Sequence, residues 1–242
     1  YKHVNRDYLD WAVGFGFLGK AEPIIFQLYS EPFQKFRLAA EGHGKIVPPT
    51  EHRERIHAHF DPLPFWYAPF EGEMVKAEDF PLHAVTQRPM AMYHSWGSQN
   101  DWLRQILGRN WLYMARETAA ARGIADGDWV TVTSHHGQIR AQARLMDGVE
   151  PGTVWTWNAI GKRSGAWALD PDAPEAKQGF LLNHLISELL PERGGGYRYS
   201  NSDPVTGQAA WYDLKVQVAR AEDQSESSHP QFHTLTGIGR TA

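Results

Sequence analysis

The second half of the chain alternates between apolar and polar residues in several short runs. Residues 129–134 and 139–145 alternate in this way on either side of a His-His-Gly-Gln segment, which predicts a β-hairpin. A third strand is predicted over 153–157, directly after a Pro-Gly turn. The same type of pattern predicts short strands over 80–86 and 211–218.

Helical patterns lie between these runs. Residues 98–107 predict a helix that Ser98 caps, because its apolar residues recur on one face. An alanine-rich helix is predicted over 116–122 and ends at Gly123, and a further helix is predicted over 179–190. Short strands and hairpins without a regular strand–helix–strand alternation indicate a closed or partly closed β-barrel with attached helices. The expected fold class is mainly β with α.

The N-terminal third differs in composition from the rest. Residues 1–79 are rich in proline and aromatic residues, and X-Pro pairs favour extended backbone. We therefore expect an extended, irregular linker segment from the preceding domain of a longer parent protein, with a helix only within 29–40. Residues 80–220 form the predicted barrel domain, and the polar residues 221–242 predict a disordered tail.

Composition excludes several classes of function. The 24 basic and 28 acidic residues give a net charge of −4, which does not indicate nucleic-acid binding. Because cysteine is absent, thiolate metal sites, iron–sulfur ligation and cysteine nucleophiles are excluded from this chain. No apolar run approaches the roughly 20 residues of a membrane helix.

The short motifs do not indicate a catalytic centre. A G-x-G-x-x-G match at 14–19 is followed by Pro23, where the helix of a dinucleotide-binding motif should grow, so a bend of packed aromatic residues is the better interpretation. No Ser-His-acid order, G-x-S-x-G motif or carboxylate pair stands out. The histidines lack a third ligand at a metal-binding spacing. We therefore assign no catalytic residue and no metal ligand.

Polar residues instead collect directly after the predicted strands, where loops on a rigid scaffold commonly bind ligands. Arg88 follows the first strand, Asn158 follows the third, and Lys162 lies close behind it. Cations suit phosphate, and amide groups suit the donors and acceptors of a heterocycle. Ordinary loop chemistry is the alternative interpretation.

Three motifs carry a family resemblance. RETAAARGIADGDWV at 116–130, VEPGTV at 149–154 and NSDPVTGQ at 201–208 together resemble the C-terminal dinucleotide-binding domain of molybdopterin oxidoreductases of the dimethyl-sulfoxide-reductase type. The resemblance implies a double-psi β-barrel. The sequence departs from the family pattern at Ala115-Arg116, where Asn-Pro is usual. The following helix is therefore expected to lack a good N-terminal cap.

The same resemblance implies a cofactor and a set of contacts. The cofactor is molybdenum bis(molybdopterin guanine dinucleotide), with an iron–sulfur cluster in the missing N-terminal part of the parent. Polar residues of the matching loops are assigned as cofactor contacts: Thr86, Gln87, Arg88, His94, Ser95, Gln99, Asn158, Lys162, Asn183 and Asn201.

PIIFQLYSE at 23–31, FRLAA at 36–40 and DPLPFWY at 61–67 resemble the linker of membrane-associated iron–sulfur molybdoenzymes that act on sulfur compounds, with sulfite dehydrogenases the most similar group. This implies oxidation of sulfite, a small sulfur oxyanion, and electron transfer through an iron–sulfur electron-transfer subunit to a quinone-linked membrane anchor subunit. A cytoplasmic, membrane-associated location is expected, with the periplasm as the alternative. Reduction of thiosulfate, polysulfide or tetrathionate, or a degenerate barrel that only packs on a partner, are the alternative functions.

Overall fold

The computed structural model describes residues 6–17, 30–63, 65–93, 97, 100–158, 182–191, 200–210, 213–225 and 231–232. They belong to two compact units, residues 1–67 with 204–206 and residues 68–203 with 207–242. Among the described residues, no helix is both long enough and apolar enough to cross a membrane.

The first unit is helical. It contains α1 (Arg6–Gly14), α2 (Ser30–Ala40) and α3 (Thr50–His59). The second unit begins with a further short helix, α4 (Phe70–Met74). The helix predicted within 29–40 is confirmed as α2, but the prediction of an otherwise extended, irregular segment is wrong for α1, α3 and α4.

Two features of the sequence concealed these helices. Proline stands before the helix rather than inside it at Pro49 and Pro69, a position that does not interrupt the backbone hydrogen bonds. In addition, α3 is polar on almost every side and buries only Ile56, so it shows no apolar stripe.

The second unit is built on a closed barrel. Its strands are β1 (Leu82–Gln87), β2 (Leu112–Met114), β3 (Trp129–Thr133), β4 (Gly137–Leu145), β5 (Thr153–Trp157) and β6 (Lys215–Arg220). They neighbour one another in the order β2-β5-β1-β6-β3-β4, and a further pairing of β4 with β2 closes the barrel. The pairs β1–β5 and β2–β4 are parallel, and the other pairs of the barrel are antiparallel. The predicted mainly β fold with a closed barrel is confirmed.

The barrel interior is filled by alternate residues of the strands. In β4, Ile139, Ala141 and Ala143 are fully buried, while the residues between them are partly exposed. This is the two-residue period of a strand with one face towards a core. The same cluster includes side chains of the other strands, of a 3₁₀ helix (Leu182–Leu185) and of Leu214, directly before β6: Leu82, Leu112, Met114, Val130, Val132, Val154, Leu182, Leu185, Leu214, Val216 and Val218.

Several connecting elements differ from the sequence prediction. The predicted helix over 98–107 is α5 (Asp101–Ile106), and the Asn100 side chain caps it. The next helix, α6 (Arg116–Ala120), begins at Ala115 without a side-chain cap, as expected from its sequence. The predicted helix over 179–190 is wrong where it is described, because only the 3₁₀ helix forms there. A two-residue strand, β7 (Gln231–Phe232), pairs with β4 inside the segment expected to be disordered.

Candidate functional site

The parallel pair of β1 and β5 brings four of the predicted cofactor contacts to one edge of the barrel. Gln87 pairs with Trp157, so both strands end at the same level. Thr86 is buried near the end of β1, and Gln87 and Arg88 are exposed. Asn158 follows β5, and its backbone N–H donates to the carbonyl of Gln87 at 2.9 Å. We call this group, Thr86, Gln87, Arg88 and Asn158, the strand-end cluster.

Aromatic side chains support the strand-end cluster. The guanidinium carbon of Arg88 lies 5.0 Å from the ring centroid of Tyr93, within the range of a cation–π contact. Met92 packs with Leu103 and Trp157, which joins the loop after β1 to α5 and β5. The Arg88 guanidinium therefore lies beside an aromatic ring, where its planar donors suit a phosphate group.

Asn110 fixes the end of β5 and was missed by the sequence analysis. Its side chain is buried, and its Nδ2 donates to the carbonyl of Trp157 at 3.0 Å. Its Oδ1 accepts from the Thr156 hydroxyl at 2.6 Å and from the Trp157 backbone N–H at 3.2 Å. The sequence shows Asn110 only as a polar residue directly before the apolar run at 111–114. Local patterning does not distinguish such a residue from an ordinary loop residue.

Two polar atoms at the end of β5 lack a hydrogen-bond partner in the part of the chain that the structure describes. Among the described residues, the indole Nε1 of Trp157 and the Oδ1 of Asn158 are buried without a hydrogen bond. Leaving such an atom unpaired costs about 1–3 kcal/mol. A bound heterocycle can satisfy this donor and this acceptor, so the strand-end cluster fits a ligand with both types of group.

The structure places two other predicted residues in a second group. Asn183 and Asn201 line a cavity of about 300 Å³, together with Ile186, Ser187, Glu188, Ala209 and Ala210. Asn201 is joined through Glu71 to Lys215, which pairs with His83 near the start of β1. The strand-end cluster lies at the other end of β1. The predicted contacts therefore divide into two groups.

Glu71 is the most strongly perturbed acid of the described residues. Its carboxylate is fully buried, and burial raises its pKa from 4.5 to about 7, although hydrogen bonds from Lys215 and Asn201 lower it in part. Burial also raises the pKa of Asp213. Burial and the neighbouring Lys215 lower the pKa of His83, whose Nε2 lies 2.6 Å from the Lys215 Nζ.

Four predicted contacts, His94, Ser95, Gln99 and Lys162, lie outside the described residues. Gly97, which lies between Ser95 and Gln99 in the sequence, is tightly packed. A Cβ there would lie 3.0 Å from the Leu103 Cδ1 and 3.2 Å from the Met92 Cα. In the part of the chain that the structure describes, no group of three histidine or acidic residues is arranged to hold a metal ion.

A larger cavity of about 560 Å³ lies within the first unit. Its lining is apolar apart from Lys35: Pro32, Phe36, Ala39, Ile46, Pro48 and Ile56. A dinucleotide needs several polar partners, so this cavity does not suit one.

A closed barrel whose strand ends carry a buried indole N–H and a buried amide oxygen without partners among the residues described has the features of a cofactor-binding domain. Residues 82–202 match the family model described as "Molydopterin dinucleotide binding domain", and the chain belongs to this family. The resemblance to the molybdopterin oxidoreductases is confirmed.

The relatives indicate a subgroup of that family. The chain is 55% identical over 237 residues to a sulfite dehydrogenase subunit from Allochromatium vinosum, and the alignment covers 97% of the chain and 24% of the relative. It is 34% identical over 112 residues to the dimethyl sulfoxide/trimethylamine N-oxide reductase of Cereibacter sphaeroides, covering 45% of the chain and 13% of that protein. The chain thus spans a quarter or less of these relatives.

Among solved structures, the acetylene hydratase of Pelobacter acetylenicus aligns with 66% of the chain and 22% of its own length. The TM-score is 0.48 and the sequence identity is 18%.

Proposed function

We propose that this chain is the C-terminal, cofactor-binding part of the catalytic subunit of a molybdenum oxidoreductase that oxidises sulfite. The observation that carries the proposal is the 55% identity with the sulfite dehydrogenase of Allochromatium vinosum, because it extends over 97% of the chain. It therefore includes the helical first unit as well as the barrel. The relative that acts on dimethyl sulfoxide matches only 45% of the chain, which supports the family rather than that substrate.

The cofactor in this proposal is molybdenum held by two molybdopterin guanine dinucleotides. When bound, it supplies the two-electron chemistry, and the protein supplies binding and orientation. The residues present fit this group. Arg88 suits a pyrophosphate. Among the described residues, the Trp157 Nε1 has no acceptor and the Oδ1 atoms of Asn158 and Asn201 have no donor, so they offer one donor and two acceptors. Asn110 holds the end of β5 in place, which keeps this donor and acceptor in a fixed position.

The remaining parts of the proposal concern the complete protein. The chain has no cysteine, so the iron–sulfur cluster of the proposed electron path is bound by another part of the protein. We propose two partners, an iron–sulfur electron-transfer subunit together with a membrane anchor subunit, and a small sulfur oxyanion as substrate. The proposed location is the cytoplasmic side of the membrane, with the periplasmic side as the alternative.

The test uses the complete polypeptide that carries this chain. Molybdenum and guanine nucleotide are measured per protein, and dye reduction is measured with sulfite. We expect both components to be present and dye reduction to depend on sulfite. Reduction of thiosulfate, polysulfide and tetrathionate is assayed in parallel. Activity with one of these and none with sulfite would contradict the proposed substrate, and absence of both cofactor components would contradict the proposed function as a whole.

A further inference from the structure

Asn201 is held through both its backbone and its side chain. Its N–H donates to the carbonyl of Glu188 at 2.8 Å, and its own carbonyl accepts from the N–H of Ala210 at 3.2 Å. Its side-chain Nδ2 donates to the Oε2 of Glu71 at 3.1 Å. The residue is only 8% exposed, so its amide has little freedom to turn.

The chemistry of Glu71 decides which end of the Asn201 amide remains available. An ionised carboxylate accepts hydrogen bonds and donates none. Its Oε1 already accepts from the backbone N–H of Lys215 at 2.9 Å, and its Oε2 faces Asn201. Asn201 must therefore turn its NH₂ group towards Glu71, and its Oδ1 is buried without a partner among the described residues.

We infer that Glu71 is a positioning residue that sets the direction of the Asn201 amide, so that the cavity lined by Asn183 and Asn201 offers a hydrogen-bond acceptor to an N–H group of the ligand. This inference rests on the proposed function, which supplies the ligand class. Guanine and pterin share an edge with a ring N–H and an exocyclic amine, and both groups are donors. A buried acceptor without a partner is the complement of that edge.

The alternative is that Glu71 only joins α4 to the start of β6. Both interpretations predict a loss of stability when Glu71 is changed, so stability does not separate them. The two interpretations differ in whether Glu71 determines which end of the Asn201 amide faces the ligand. If Glu71 orients Asn201, the hydrogen-bonding character of the cavity wall changes with the residue at position 71.

The decisive variant is Glu71→Gln. One amide oxygen at position 71 still accepts from the Lys215 N–H, so the new NH₂ faces Asn201 and forces its amide to turn over. The cavity then meets an NH₂ group instead of an acceptor. A second change, N201D, restores the acceptor, because one carboxylate oxygen accepts from the new NH₂ and the other remains for the ligand.

Binding is measured on the complete protein, produced without cofactor in a host that cannot make molybdopterin, at about pH 8, where Glu71 is ionised. The probes are GMP and a free pterin, titrated separately by calorimetry. We expect E71Q to weaken the binding of one of them roughly tenfold, the effect of one good hydrogen bond. The double variant E71Q/N201D should return to within about threefold of the wild type. The probe whose binding weakens shows whether the edge that contacts Asn201 belongs to guanine or to the pterin.

Glu73→Gln is the matched control, because it makes the same change at an exposed position of the same helix. It should leave binding unchanged. The inference is overturned if E71Q binds both probes as the wild type does, if E71Q/N201D stays as weak as E71Q, or if the wild type binds neither probe. In each case, molybdenum and guanine nucleotide in the complete enzyme would still support the proposed function. Failure of this inference is therefore distinguishable from failure of the proposed function.

The pH dependence gives a second readout. Lys215 and Asp213 face Glu71, and His83 lies against Lys215 from β1. As pH falls through about 7, Glu71 becomes protonated and is able to donate to the Asn201 amide, so the wild type should lose affinity. Burial and Lys215 lower the pKa of His83, so His83 gains its proton at a lower pH than Glu71 does. E71Q should lack this transition, and a transition of equal size in E71Q would overturn the assignment to Glu71.

Discussion

Replacing Asn110 by alanine should destabilise the barrel and loosen the end of β5. The side chain is 1% exposed, and it donates once to the Trp157 carbonyl. Its Oδ1 accepts from the Thr156 hydroxyl and from the backbone N–H groups of Trp111 and Trp157. Each hydrogen bond contributes about 0.5–1.5 kcal/mol, and some of the partners are left buried and unpaired. The expected loss is about 3 kcal/mol.

For a cooperative unit of about this length within the complete protein, a loss of that size lowers the melting temperature of that unit's transition by roughly 6–12 °C. The assay is calorimetric melting of the complete protein, together with its guanine nucleotide content. This content should fall because Asn110 holds the end of β5, where Trp157 and Asn158 lie. Asn183→Ala is the control for melting, since Asn183 is exposed and should change stability by no more than about 0.5 kcal/mol. If the Asn110 variant melts within about 2 °C of the wild type, the hydrogen bonds to β5 do not have the role assigned to them.

Three further predictions concern single residues. The pKa of Glu71 is lower in the unfolded state than in the folded state, so protonation of Glu71 stabilises the folded state. This contribution to the free energy of unfolding is complete below about pH 4.5 and is lost as pH rises through about 7. The stability of the wild type relative to Glu71→Gln should therefore fall by about 3 kcal/mol across that window in denaturant titrations, and a constant difference would contradict the assigned pKa. Arg88→Ala should weaken dinucleotide retention roughly 10- to 100-fold, because a charged hydrogen bond contributes about 1.5–3 kcal/mol. Guanine nucleotide content tests this, with the exposed Arg116→Ala as control, and unchanged content would remove Arg88 from the site. Asn100→Ala should cost about 1 kcal/mol, because its Oδ1 accepts from the N–H groups at the start of α5, and equal melting curves would show that the cap is dispensable.

The central strands of the barrel could be predicted because their signal is local. In the hairpin of β3 and β4, each strand has one face in the core, so the sequence alternates with a period of two residues. The uncapped start of α6 could also be predicted, since a missing cap is visible in a single residue, Ala115. The family resemblance depended in the same way on short contiguous motifs.

The remaining features depend on contacts between distant parts of the chain. β2 has three residues, too few for a period, and it exists because β4 and β5 pair with it. Glu71 and Asn201 are 130 positions apart, and nothing near either residue indicates that their side chains meet.

The sequence by itself determined that a barrel with polar strand-end loops would form, because burial of alternate residues is encoded locally. Tertiary structure alone decided that Asn158 contacts Gln87 at one end of β1, while Asn201 contacts Glu71 near the other end. The physical reason is that closing the barrel determines which strand ends meet, and a buried carboxylate acquires a raised pKa and a fixed partner only when the surrounding strands exclude water.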